Sequence, residues 1–175
     1  METIYTSERL TIRHFRNDDA EAVARHADNR NIAKNLRDAF PHPYTLADAR
    51  RFIESATSMQ PQTYFCMANA EDEAIGSIGF VLQKDVERFS AEIGYWLSED
   101  YWGRGIVSEA MRAVTRYAMK THNLIRVYAA PFAHNVASCR VLEKCGYVLE
   151  GRLHRAAVKE GQVCDMLMYA ITAAD

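Results

Sequence analysis

A chain of 175 residues with 49% hydrophobic content can bury one sizeable core and is short for two, so a single globular domain over residues 1–175 is expected. Its net charge of −2 and pI near 6.3 supply no global basic field, which argues against a nucleic-acid partner. No apolar run approaches the ~20 residues of a membrane span, and METIYTSERL lacks the cationic and apolar regions of a secretory signal, so a cytoplasmic setting with no membrane partner is expected.

The segment RLTIRHF (9–15) alternates as a strand. Asp18 with Glu21 makes a box-like start for a helix whose Ala20, Val23, Ala24 and Ala27 share one face. A loop over 36–44 ends in the turn PHPY. Thr45 followed by Asp48 then opens a helix with Leu46, Ala49, Phe52, Ile53 and Ala56 at helical spacing. Next come TYFCMA (63–68), AIGSIGFVL (74–82) and AEIGYWL (91–97), rich in aromatic or β-branched residues and separated by charged turns, the pattern of an antiparallel meander. From Gly105 to about Lys120, Val107, Ala110, Met111, Val114 and Ala118 form an apolar helical stripe, followed by the strand IRVYAA (125–130), closed by Pro131. His134 to Cys145 reads as a helix ended by Gly146, and two last strands meet at the KEGQ turn, 159–162. These elements predict an α/β fold with a mixed, largely antiparallel sheet flanked by helices on both faces.

Cys66, Cys139, Cys145 and Cys164 contain no C-x-x-C pair, and the six histidines show no ligand spacing, so no metal site is expected. Their apolar neighbours make the cysteines read as small buried hydrophobes.

Between the third meander strand and the long helix stands YWGRGIVSEA (101–110). A helix start offers several N–H groups without intrahelical partners and the positive end of the macrodipole, a setting that favours an anion. Gly103 and Gly105 carry no Cβ to keep a phosphate from those N–H groups, and Arg104 is placed to add a bidentate contact. The G-x-G pattern alone is equally compatible with an ordinary strand-to-helix turn carrying an exposed arginine. A P-loop is argued against by the missing G-x-x-x-x-G-K-[ST], and a dinucleotide fingerprint by the missing third glycine.

With these neighbours the choice narrows. AEIGYWLSEDYWGRGIVSEA, followed after a helix and a strand by HNVASCRVLEKCGYVLEG, resembles the two signature motifs of the GNAT acyl-CoA-dependent N-acetyltransferases, particularly the branch that acetylates ribosomal-protein N-termini (RimJ/RimL-like). LRDAFPHPYTLADARRFI is similar to that branch's substrate-side region, so the resemblance spans Ser7 to about Ala170. It implies acetyl-CoA as co-substrate, a primary amine as acceptor (a protein N-terminus or a small molecule), direct attack through a tetrahedral intermediate, and a splayed pair of central strands, 91–97 and 125–130, between which pantetheine inserts. A homodimer is common in this branch. The family's pyrophosphate loop falls on Trp102, Gly103, Arg104, Gly105, Ile106 and Val107, running on to Ser108. Two positions depart from its pattern: Trp102 stands for a polar residue and Val107 for a small one.

Acetyl transfer needs a neutral nitrogen, and since an α-amino group titrates near ~8 a base helps. Glu92, where the resemblance implies a water-linked glutamate, is the candidate, although a carboxylate on the exposed face of a strand, paired with a cross-strand cation, reads equally well from sequence. The resemblance also implies an oxyanion donor in a backbone N–H near Trp96 or Leu97. Asn135 and Ser138 share a helix face with Leu142. Leu142 replaces the tyrosine acid of many family members, and the resembled branch uses the serine, so Ser138 is the candidate partner of the departing sulfur. Asn135 is expected as a pantetheine or helix-start contact. A CoA-binding regulatory module without catalysis is the alternative function.

Overall fold

A computed structural model of the chain describes residues 3–173; the positions at each end that complete the expected 1–175 domain lie outside the described residues. One sheet contains β1 (Thr3–Thr6), β2 (Thr11–Arg13), β3 (Tyr64–Ala68), β4 (Ala74–Leu82), β5 (Ser90–Leu97), β6 (Arg126–Ala129), β7 (Val148–Lys159) and β8 (Gln162–Thr172), in the order β1-β2-β3-β4-β5-β6-β8-β7. Its neighbours are antiparallel except β5 and β6, which run parallel. The helices are α1 (Ala20–Ala27), α2 (Arg30–Ala33), α3 (Leu46–Ser58), α4 (Ile106–His122) and α5 (Val136–Lys144). No helix among the described residues is long and apolar enough to cross a membrane.

Alternation along the central strands decides which helices cover which face. Phe65, Met67, Ile93 and Leu97 point into a core with Ala110, Met111, Val114 and Ala118 of α4 and Cys139 and Leu142 of α5. Their neighbours Cys66, Ala68 and Trp96 point the other way, into a core with Val23 of α1 and Ala49, Ile53 and Ala56 of α3. The mixed sheet with helices on both faces is thus the architecture observed. At the KEGQ turn, Lys159 pairs with Gln162 across Glu160 and Gly161, both at positive φ, as a two-residue hairpin requires.

Some boundaries and roles differ from the sequence expectation. The box at α1 is not made by Asp18 and Glu21, which are exposed. Asp19, one residue on, accepts from the Arg16 N–H at 2.8 Å, because its carboxylate is drawn inward by the buried Arg13 guanidinium, 2.8 and 2.9 Å away. The Thr45–Asp48 box is present in both directions. Cys66 and Cys139 are buried, whereas Cys145 and Cys164 are half-buried. The feature that positions the site is the parallel pair. β5 and β6 are joined from Ser90↔Arg126 to Glu92↔Tyr128 and no further, while β5 stays paired with β4 as far as Leu97↔Gly76. Beyond Glu92 the two strands diverge and leave a wedge.

Candidate active site

The wedge opens into a cleft of about 500 Å³, floored by β5 and bounded by the loop before α4, the first turn of α4, α5, and the α2–α3 loop. At its wide end Gly105 is the N-cap of α4 at φ 77°, and Gly103 lies at φ 73°. Both are in the left-handed region, which an L side chain occupies only at a cost of about 1–2 kcal/mol. A Cβ at Gly103 would meet no atom within 4 Å, and one at Gly105 only Arg9 Nη2 at 3.9 Å, so the backbone faces open space. The shorter α2 and the neighbouring α3 and α5 are capped by the side chains of Asn29, Thr45 and Asn135. α4 has no side-chain cap. The N–H groups of Ile106, Val107 and Ser108 therefore have neither an intrahelical partner nor a capping side chain, and all three residues line the cleft. Val107 packs its side chain against the α4-side core, so its bulk does not stand before its N–H.

Arg104 is not where the sequence reading put it. Its guanidinium donates to the Asp100 carbonyl at 2.7 Å and lies over the Tyr101 ring, 5.3 Å from the centroid, outside the cleft lining. Those two nearby partners satisfy it locally, and the cradle is made by backbone. Trp102 lines the cleft, and its indole Nε1 donates to the Leu97 carbonyl at 2.8 Å, fastening the loop to β5.

Strand register separates Trp96 from Leu97. The Gln83 N–H bonds the Ser90 carbonyl and the Ser98 N–H bonds the Ile75 carbonyl, so the even-numbered residues of β5 exchange their bonds with β4. The Trp96 N–H is therefore turned to β4. The odd-numbered residues face the wedge, as the Phe89 carbonyl does in accepting from the Ile125 N–H. Of the two expected donors, Leu97 is the one whose N–H is aimed into the cleft; Trp96 contributes its buried ring.

Glu92 stands at the apex of the wedge, on the face shared with Trp96. Its Oε1 accepts from Nη2 of Arg37 at 2.5 Å; the cation comes from the α2–α3 loop. Tyr128 is the β6 partner of Glu92, and Tyr64 lies within reach of its charge. Burial first, and the Glu92 charge second, push both phenols above their usual range. On the opposite face, Asn135 caps α5 by accepting from the Ser138 N–H at 3.2 Å, the helix-start contact of the two expected. Ser138 Oγ accepts from the Tyr95 hydroxyl at 3.2 Å. Leu142 is buried in the core.

Glu92, Leu97, Ser138 and the α4 N-terminus thus meet around one cleft, and Arg104 is left outside it. The sequence reading missed Tyr95 and the pairing of Arg37 with Glu92. Tyr95 had a signal: alternation in AEIGYWL sets it opposite Glu92, on the face that α5 covers. Arg37 had its place in LRDAFPHPYTLADARRFI, the stretch similar to the branch's substrate side, but nothing in a loop marks it as the partner of Glu92.

Residues 9–148 match the acetyltransferase (GNAT) domain family. The chain is 30% identical over 176 residues to the uncharacterized N-acetyltransferase p20 of Bacillus licheniformis, covering 98% of this chain and 96% of that one. It is 31% identical over 125 residues to the ribosomal-protein-serine acetyltransferase of Escherichia coli (strain K12), covering 70% and 69%. Among solved structures, a GNAT-family acetyltransferase from Bacillus anthracis has a TM-score of 0.82 at 28% identity, covering 95% of this chain and 96% of that one. The ribosomal L7/L12 alpha-N-protein acetyltransferase RimL, solved in complex with coenzyme A, has a TM-score of 0.86 at 22% identity over 98% of both chains, a likeness of fold. The family match takes in the wedge, the glycine loop and α5 together, and the chain belongs to the GNAT family of N-acetyltransferases.

Proposed function

We propose that this protein transfers the acetyl group of acetyl-CoA to a primary amine, and that the acceptor is the N-terminal amine of a peptide or protein. The observation that carries the reading is the end of the β5–β6 pairing at Glu92, which aligns a carboxylate, a free strand edge and an uncapped helix start along one cleft. The residues fit the co-substrate: the first-turn N–H groups of α4 suit a diphosphate, and the odd-numbered edge of β5 suits the amides of pantetheine. When bound, acetyl-CoA supplies a thioester-activated acetyl group. A peptide acceptor is supported by the relative whose name is ribosomal-protein-serine acetyltransferase.

In this reading Glu92 takes the proton of the arriving ammonium through a water, leaving a neutral nitrogen to attack. The Leu97 N–H donates to the acetyl oxygen as charge builds on it. The Ser138 hydroxyl donates a hydrogen bond to the sulfur as it departs as a thiolate, and the proton that the nitrogen still carries beyond the amide is lost to solvent. The pairing of Glu92 with Arg37 favours a second reading, an acyl-CoA-binding module whose carboxylate is engaged and does not catalyse.

Thiol release from acetyl-CoA over a panel of amines and peptides decides between them. Turnover is expected; tight acetyl-CoA binding with no turnover across the panel supports the module. Glu92→Gln should keep acetyl-CoA affinity and lose about 10²-fold or more in kcat near neutral pH, with a smaller loss above pH ~8, where the α-amine is neutral unaided. A pH–rate profile identical to wild type removes Glu92 from proton transfer.

A further inference from the structure

The backbone of Arg37 and its guanidinium are held very differently. Around Arg37 the backbone is fixed: its carbonyl accepts from the Phe40 N–H at 2.9 Å, and the Phe40 ring sits 4.8 Å from that of Tyr44 and 5.9 Å from that of Trp96. Next to it, the Asp38 carboxylate accepts from Lys159 Nζ at 2.8 Å, at the tip of the β7–β8 hairpin. The Lys159 side chain is 11% exposed but that of Asp38 is 79% exposed, so this ion pair adds little and the packing of Phe40 is the firmer anchor. The Arg37 guanidinium is 70% exposed, and so exposed a cation holds its partner weakly. The cleft lining carries three cations, Arg37, Arg140 and Lys144, against one carboxylate, Glu92. Arg140 and Lys144 stand on α5. Arg37 is the one cation lining the α2–α3 side, the side from which Glu92 is covered.

Resting on the reading that Glu92 receives the acceptor amine, the geometry points to Arg37 as the residue that selects the acceptor: an amine with an anionic group beside it is preferred to its neutral isostere. The cause is an exchange of cations. The acceptor arrives as an ammonium ion and, through the water that links it to Glu92, takes over the carboxylate oxygen that the guanidinium holds. Because its loop is pinned by the packing of Phe40, Arg37 stays within a few ångströms of the new cation, and the two repel. A carboxylate one residue along the acceptor gives the displaced guanidinium a planar two-oxygen partner and cancels that repulsion. A neutral acceptor does neither. No covalent bond changes in the exchange; what changes is which cation sits on Glu92.

The test compares two peptides of nearly identical shape, Ser-Asp-Ala-Ala-amide and Ser-Asn-Ala-Ala-amide, by kcat/KM in the wild type, Arg37→Gln and Arg37→Glu. The wild type should favour the aspartate peptide by about tenfold, the scale of one charged hydrogen bond. That ratio should fall to near unity in Arg37→Gln, and Arg37→Glu should favour Ser-Lys-Ala-Ala-amide. Calorimetry with acetyl-CoA checks that each variant keeps its cleft. The inference is overturned by equal use of the two peptides in the wild type, by a ratio that survives Arg37→Gln, or by turnover of neither peptide. Glu92→Gln on the better peptide separates the two levels. Retained turnover there removes the Glu92 reading, while lost turnover with a ratio indifferent to Arg37→Gln removes the selection by Arg37 alone.

Discussion

The Tyr95 hydroxyl donates to Ser138 Oγ, and burial pushes the ionisation of this phenol up. A thiol ionises near ~8.5 and an ordinary phenol near ~10, so handing a proton from a phenol pushed higher still to a departing thiolate is uphill. The same hydrogen bond has a different use. By filling one lone pair of Ser138 Oγ it leaves the serine's own hydrogen to turn toward the cleft, while the cap from Asn135 to the Ser138 N–H fixes the start of α5. Tyr95 is on this argument a positioning residue that acts through Ser138. Tyr95→Phe should lower kcat about three- to tenfold, the scale of one neutral hydrogen bond, and Ser138→Ala should do the same. The double variant should be no worse than either single one, because both remove one oriented O–H. Losses that multiply in the double variant would show that the two hydroxyls act separately, and rescue of neither by raising the pH is expected, since no proton transfer from the phenol is involved.

At the level of elements, the start of α4 shows why a glycine pattern can be read for both conformation and contact. Gly105 at φ 77° must be left-handed for the chain to leave the Glu99–Tyr101 turn and enter the helix with its first N–H groups aimed at the cleft. Gly105→Ala should cost about 1–2 kcal/mol of stability, seen as a lower Tm, and should raise KM for acetyl-CoA several-fold more than it lowers kcat, because the cradle tilts while Glu92 and Ser138 stay put. An unchanged acetyl-CoA affinity in calorimetry would detach the α4 start from phosphate binding. The elements themselves were largely legible: the period of 3.6 in Ala110, Met111, Val114 and Ala118, and the alternation in the three meander strands, each record burial on one face. α2 was not, since Arg30–Ala33 is a single turn and too short to show a period. Nor was the choice between Trp96 and Leu97. Which N–H faces the wedge depends on the pairing of Ser90 with Gln83 and of Ser98 with Ile75, a register set by segments apart in the chain. The pairing of Arg37 with Glu92 stayed hidden for a related reason: the two are 55 residues apart, and a loop has no repeat that would aim a side chain.

Across the whole molecule, charged clasps tie remote segments together and set the pH range in which the fold holds. The buried Arg13 of β2 binds Asp19 before α1 and Asp72 in the β3–β4 turn, and Arg16 adds a second bond to Asp72. The Arg13 hydrogen bond holds the Asp72 carboxyl below its ordinary 3.8. His26 and Arg25 do the same for Glu73, and Arg155 and Arg152 for Asp165. Each of these carboxyls binds its proton less readily folded than unfolded, so its contribution is complete above its ordinary pKa and is lost as pH falls through the lower folded value. Burial also lowers His122 from its ordinary 6.5, which favours the neutral ring in the fold and removes stability in the same direction, starting below pH 6.5. On the alkaline side the signs reverse. Burial raises Cys66 from 9.0, and burial with the Asp48 charge raises Tyr44 from 10.0 to about 12; both groups must stay protonated in the core, so stability drains away as pH rises past their ordinary values. Calorimetric Tm should therefore be level between about pH 6.5 and 9, ease down below 6.5 as His122 is forced to charge, and drop steeply below about 4.5 as the carboxyls take up protons. Asp72→Asn should lower the plateau and flatten the acid limb, because the variant has already lost the ion pairs that acid removes from the wild type. An acid limb equally steep in that variant would mean that the Arg13–Asp72–Arg16 clasp is not among the groups that acid undoes.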